Sequence, residues 1–307
     1  MCAKRMNKKI TSALILLLVA MIWGSAFVAQ SKGADRIGAF TYNFSRSVIG
    51  AAVLLPVIAV LNRRSKQAGD NSSPSRRMTL VGGVCCGIAL CAASALQQIG
   101  IGMTTAGKAG FVTALYIVIV PLLGVFLKKR IHPGAWVCVA IAVAGFYLLC
   151  VNEDFSVGKG DLAVLGCAAV FSVHILLIDF FVSRGADSVK MSCLQFAVTA
   201  LLSALPMLMF ERPELSAVWD ARLPVLYAGV LSSGVGYTLQ MIAQKHADPA
   251  AAALIMSLES VFAAISGWII LGEGLSPKEL SGCGLVLAAV IISQLLPSHS
   301  KASEEQS

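Results

Sequence analysis

Charge is scarce along this chain. Only 13% of its 307 residues are Asp, Glu, Lys or Arg, against 57% hydrophobic residues and a mean hydropathy of +0.80. A soluble domain carries about 25% charge, so a water-soluble globule is excluded and a bilayer is the expected solvent. Histidine is scarcer, at four, and neither a His cluster nor a pair of CxxC motifs accompanies the nine cysteines. Cys85, Cys86, Cys91, Cys138, Cys167, Cys193 and Cys283 fall inside apolar runs, where Cys acts as a small apolar residue, so no metal site and no cofactor is expected. HExxH, GxSxG and a GxxxxGK(S/T) phosphate loop are also missing. Their absence disfavours an intramembrane enzyme and excludes ATP-driven transport by this chain alone.

The apolar content is organised into spans. A membrane helix needs about 20 apolar residues, and ten windows qualify, near residues 10–31, 37–61, 79–102, 104–127, 133–151, 160–181, 191–210, 223–243, 249–271 and 280–296. The expected fold is therefore an all-α integral membrane protein with ten transmembrane helices. Lys4, Arg5, Lys8 and Lys9 precede the first window, which is too long for a signal-peptide core and is read as a retained helix. The net charge of +8 would suit nucleic acid, but the basic residues sit in short clusters between apolar runs, so no nucleic-acid partner is expected. With a cytoplasmic amino terminus, sixteen Lys and Arg fall on the inner connections and six on the outer ones. That bias places both termini inside, as a multi-pass protein of the cell membrane. The polar connection 62–78 reads as a flexible cytoplasmic link, and the tail 297–307 as disordered and cytoplasmic.

The chain also repeats itself. At one ungapped offset of 143, Leu96, Gln97, Ile99, Ala109, Leu115, Val118 and Gly124 meet Leu239, Gln240, Ile242, Ala252, Leu258, Val261 and Gly267. Five helices per half would turn the second half upside down, giving inverted repeats over 1–151 and 152–296. Arg130 would then face the cytoplasm and its counterpart Glu273 the outside. Such internal symmetry, with polar groups in matching helices, is what secondary transporters show. A channel would not need two inverted copies of a polar stripe.

Two stretches carry a family resemblance. The run Ser257-Leu258-Glu259-Ser260-Val261-Phe262-Ala263-Ala264, continuing through Gly267-Trp268 to Leu271-Gly272-Glu273, resembles the ninth-helix signature of the EamA family in the drug/metabolite transporter superfamily. Ala20-Met21-Ile22-Trp23-Gly24-Ser25-Ala26-Phe27 resembles its first-helix signature. The chain departs from the family at Ser260, where Pro is usual, and at Lys129-Arg130, where Gly-Glu often ends the fourth helix. The resemblance implies alternating access by two inverted five-helix repeats. It places a central cavity between helices one to four and six to nine and leaves helices five and ten peripheral, with a homodimer through them open. It further implies export of amino acids, other metabolites or drugs, by exchange or driven by a proton gradient.

Polar residues inside the spans supply the candidate site. In helix eight, Ser233, Tyr237, Gln240 and Gln244 fall at i, i+4, i+7 and i+11, which at α-helical pitch puts them within roughly 60° of arc. Lipid cannot satisfy such a stripe, so it should face protein or a wet cavity. Helix three echoes it with Ser94 and Gln97. Plain interhelical hydrogen bonding is the alternative. Trp23, Tyr116 and Phe171 stand where the family cavity would be, and Trp23 and Tyr116 join Gln97, Tyr237, Gln240 and Glu259 as expected substrate contacts. His174 could relay protons or simply hold a structural hydrogen bond.

Glu259 is the sharpest candidate. Nine residues on from Ala250, it lies about 14 Å into an approximately 30 Å core, where a carboxyl must take up a proton or find a cation. Arg46 lies at similar depth in helix two and offers an ion pair. Glu259 could thus serve proton coupling, bind a substrate amine, or form a structural pair with Arg46. The expected partners are the lipid bilayer and a small polar metabolite, most simply an amino acid or amine. A proton-coupled drug or cation exporter is the alternative.

Overall fold

A computed structural model describes residues 2–67, 74–104, 106–127, 133–150, 158–271 and 276–295. The described residues are helical almost throughout. In chain order the helices are α1 Cys2–Ala34, α2 Ala39–Gln67, α3 Arg76–Ile101, α4 Ala106–Ala114, α5 Tyr116–Phe126, α6 Pro133–Cys150, α7 Lys159–Ser183 and α8 Ser188–Pro206. They continue with α9 Leu215–Asp220, α10 Arg222–Leu226, α11 Thr238–Gln244, α12 Pro249–Met256, α13 Glu259–Leu271 and α14 Pro277–Leu295. Two π-helical stretches, Met207–Glu211 and Tyr227–Tyr237, extend α8 and join α10 to α11. Among the described residues eight helical rods are long and apolar enough to cross a bilayer, and Pro133–Gly145 and Leu280–Ile292 are shorter apolar helices. Outward faces carry Leu14, Leu18, Leu201, Leu205 and Ile269 exposed. In water these would form an aggregating patch, and in a membrane they are the lipid face.

Helix ends are set by local chemistry. Asp187 accepts hydrogen bonds from the Val189 and Lys190 amides, and Asp248 from those of Ala250 and Ala251, with Pro249 opening α12. The Asp161 carboxylate accepts from the Gly158 amide and the Thr104 hydroxyl, tying the start of α7 to the link after α3.

The structure differs from the sequence expectations in three places. The expected link 62–78 is helical as far as Gln67, because Arg63, Arg64, Lys66 and Gln67 are good helix formers that prolong α2. Windows 104–127 and 249–271 are not continuous helices. The first breaks at Leu115, between α4 and α5, and the second at Ser257 and Leu258, between α12 and α13. In each break an amide reaches back only three residues, Leu115 to the Val112 carbonyl at 3.3 Å and Leu258 to the Ile255 carbonyl at 3.2 Å. Leu258 and Ile255 are the offset counterparts of Leu115 and Val112, so the breaks repeat as well. The corners at Lys129, Arg130 and Glu273 and the tail 297–307 lie outside the described residues.

Packing joins the first half of the chain to the second. Helix α1 lies against α13 and the α10 to α11 rod, and α7 lies correspondingly against α3, α4 and α5. Helix α2 packs on α8, and α6 on α14. The broken rods cross with α4 on α13 and α5 on α12. Early half thus meets late half, and the two rods pass antiparallel. On α3, Gly83 and Gly87 let α8 approach closely, since a Cβ at either would stand 2.6 Å from Leu194 or Val198.

Candidate functional site

The crossing of the two broken rods forms one wall of a small central cavity of about 30 Å³. Residues at equal register in the two halves meet there. Gln97 and Gln240, Thr113 and Met256, and Tyr116 and Glu259 all line it, and each pair is separated by the repeat offset of 143. Tyr116 and Glu259 open the second half-helix of their rods, α5 and α13, and stand side by side. Trp23 and Gln30 of α1, Arg46 of α2, Phe171 and Ile175 of α7, and Ser232 and Tyr237 of the long π stretch complete the enclosure.

Several lining groups are fixed in place. The Trp23 indole N–H donates to the Ser232 carbonyl at 3.4 Å, and its ring lies 4.6 Å from that of Tyr237. The Gln97 side-chain amide donates to the Thr113 hydroxyl at 3.4 Å. A Cβ at Gly24 would lie 2.4 Å from the Phe262 Cβ and 2.7 Å from the Glu259 carbonyl, so bare glycine lets α1 press on the start of α13.

Other groups are unsatisfied. Gln30 Oε1, Tyr116 Oη, Gln240 Oε1 and Glu259 Oε1 have no hydrogen-bond partner among the described residues, although all are buried. Buried polar atoms in native proteins are nearly always paired, and four unpaired ones around one cavity are groups that a polar ligand could satisfy. Arg46 is 4% exposed. Its guanidinium lies 5.9 Å from the Tyr42 ring centroid and within electrostatic reach of Tyr237. Arg46 and Glu259 share the cavity but form no ion pair within 4.0 Å. His174 stands behind the wall, its Nε2 at 3.0 Å from Gln195 Oε1 and its ring edge-on to Tyr237 at 5.9 Å.

Trp23, Gln97, Tyr116, Tyr237, Gln240, Glu259 and Arg46 are therefore brought together, and His174 is not among the lining residues. The helix-eight stripe splits. Through Tyr227–Tyr237 the backbone is π-helical, and its i to i+5 bonding widens the turn. The wider turn puts Ser232, not Ser233, on the cavity side with Tyr237. Ser233 instead faces α2, where a Cβ on Gly50 would meet its Cβ at 2.8 Å. Gln244 is buried away from the cavity. Thr113, Met256, Ser232 and Gln30 escaped the sequence reading, yet the first two stand three residues before Tyr116 and Glu259, and the repeat offset pairs them.

The profile of the EamA-like transporter family matches residues 10–151 and again 158–295. The chain belongs to the EamA-like transporter family. Its EamA domain is duplicated, and it is a multi-span membrane transporter. It is 30% identical over 289 residues to an uncharacterized transporter of Archaeoglobus fulgidus, covering 94% of this chain and 87% of that protein. It is 25% identical over 300 residues to the uncharacterized transporter YwfM of Bacillus subtilis, covering 95% and 96%. A 29% identity over 177 residues relates it to the threonine/homoserine exporter RhtA of Escherichia coli, covering 56% of this chain and 59% of the exporter. A crystal structure at 21% identity superposes with a TM-score of 0.74 over 97% of this chain and 99% of that one, an agreement of fold.

Proposed function

We propose that this protein is a secondary active transporter that exports a small polar metabolite of the amino acid or amine class across the cytoplasmic membrane by alternating access. The observation that carries the reading is the cavity wall, in which register-equivalent residues of both repeats meet at the crossing of two antiparallel broken rods. Binding where inverted repeats meet, beside interrupted helices, is the arrangement of secondary carriers. The RhtA relatives are threonine/homoserine exporters, which supports an amino acid over other polar metabolites. A drug or cation exporter fits less well, because Arg46 shares the cavity with Glu259.

In this reading the two short apolar helices also cross, giving ten crossings as two inverted five-helix repeats with both termini cytoplasmic. Cells with and without the gene, loaded with peptide-derived amino acids, should differ in the amino acids they release, and purified protein in proteoliposomes should exchange the same solutes without ATP. Exchange of none of them would reject the substrate class. Orientation is read separately, in a background without native cysteines. A Cys at Ser73 should resist an impermeant thiol reagent added outside, and one at Phe155 should label. The reverse pattern would reject the topology.

A further inference from the structure

We propose that Arg46 is the carboxylate anchor of the site and Glu259 its ammonium anchor, so that the transported species is a zwitterion and not an amine. The inference rests on the transporter reading above and narrows its substrate class.

Among the described residues Arg46 and Glu259 are the only charged side chains lining the cavity. Each is 4% exposed, and no ion pair or hydrogen bond among the described residues holds the Arg46 guanidinium. Its contact is the Tyr42 ring, 5.9 Å away. A desolvated cation held only by a ring face retains its donors, and a guanidinium presents them as a fork that matches a carboxylate. Glu259 Oε1 is unpartnered in the same space. The two charges do not neutralise each other, being more than 4.0 Å apart. Tyr237 lies within electrostatic reach of both, with its ring packed on Trp23.

The charge pattern excludes simpler ligands. A monoamine would satisfy Glu259 and leave Arg46 facing a second positive charge, while a monoanion would do the opposite. A molecule with one carboxylate and one ammonium meets both, and the loaded cavity is electrically balanced as it moves through the bilayer. The repeat gives that molecule a direction. The register counterpart of Glu259 is the uncharged Tyr116, so the symmetric wall offers the ammonium one seat. The aromatic pair Trp23 and Tyr237 supplies the surface for the side chain.

The test is counterflow of labelled threonine into proteoliposomes holding the purified full-length protein, with unlabelled competitors. Threonine should compete, while its methyl ester, lacking the carboxylate, and its N-acetyl derivative, lacking the ammonium, should each be at least roughly tenfold weaker. Arg46→Met should erase the preference for the acid over the ester, and Arg46→Lys should keep part of it. Each variant is read as the acid-to-ester ratio on the protein recovered, so a loss of yield does not imitate the result. If Arg46→Met does not fold, the Arg46→Lys ratio decides. A wild-type protein that takes ester and acid alike, or an Arg46 variant with an unchanged ratio, overturns the proposal while leaving transport intact. A wild-type protein that exchanges neither amino acids nor amines overturns the transporter reading beneath it.

Discussion

The two broken rods differ in chemistry far more than in shape. Helices α4 and α5 and helices α12 and α13 break at the same register, tighten through the same three-residue turn, and cross with early half on late half. At the residue that opens the second half-helix, the first rod carries Tyr116 and the second Glu259. A half-helix start favours negative charge, so both rods could hold a carboxyl, but only one does. A charge at the bilayer centre costs about 2.5–3.5 kcal/mol on insertion scales. The two EamA repeats share the frame, and one acidic residue within it makes the two sides of the cavity unequal.

The sharpest way to break that comparison is through what clamps each rod. Gly24→Ala would drive a methyl into Phe262 and the Glu259 carbonyl, an overpacking that costs about 1–3 kcal/mol at the start of α13. We expect the largest loss of transport here, with a lowered melting temperature in detergent. Gly110→Ala, on the other rod, finds its nearest neighbour at an ordinary 3.6 Å, the Ala263 Cβ, and should melt and transport nearly as the wild type does. Equal effects of the two would show that the rods are held alike.

Next in size is the carboxyl itself. Glu259→Gln should reduce concentrative transport by at least roughly tenfold, whereas Tyr116→Phe should reduce it only a few-fold. The exchanged pair Tyr116→Glu with Glu259→Tyr moves the charge across the crossing without changing composition, and should recover more transport than Glu259→Tyr alone. No recovery would mean that the rods are equivalent in backbone only. A Glu259→Gln protein that still concentrates substrate in response to a pH gradient would exclude proton coupling at this carboxyl.

Smaller effects sharpen the symmetry. Gln97→Leu and Gln240→Leu should each lower transport by a similar few-fold factor while leaving near-normal amounts of protein in the membrane. Normal transport in both would reduce the pair to packing. The smallest change is expected from Ser260→Ala. It removes the hydroxyl that donates to the Gly110 carbonyl at 2.9 Å where the rods cross, worth about 0.6 kcal/mol in membrane proteins and measurable by thermal unfolding.

Much of this was legible in the sequence because the bilayer imposes few rules. Run length marked the helical windows, and the offset linking Gln97 to Gln240 also links Tyr116 to Glu259. The breaks at Leu115 and Leu258 were not legible. Neither stands at a Gly or Pro, and the turn is shaped by tertiary packing of one rod across the other. The π stretch was missed for the same reason, since Ser232 and Ser233 differ by one position and only the backbone bonding decides which of them faces the cavity. Arg46 was visible as a mid-membrane charge, and its freedom from Glu259 became visible only in three dimensions.

The interlocked packing has a consequence for how the protein is made. The Cys193 thiol donates to the Ala51 carbonyl across 142 residues, and the Thr199 hydroxyl donates to the Gly87 carbonyl across 112. At roughly 5–20 residues per second, α2 and α3 wait roughly 6–30 s in the membrane before α8 is synthesised. During that time Arg46 has been inserted without the second half of its cavity. The first half of the chain therefore completes its packing only when the second half arrives, and biogenesis must hold those helices together without the contacts that later define them.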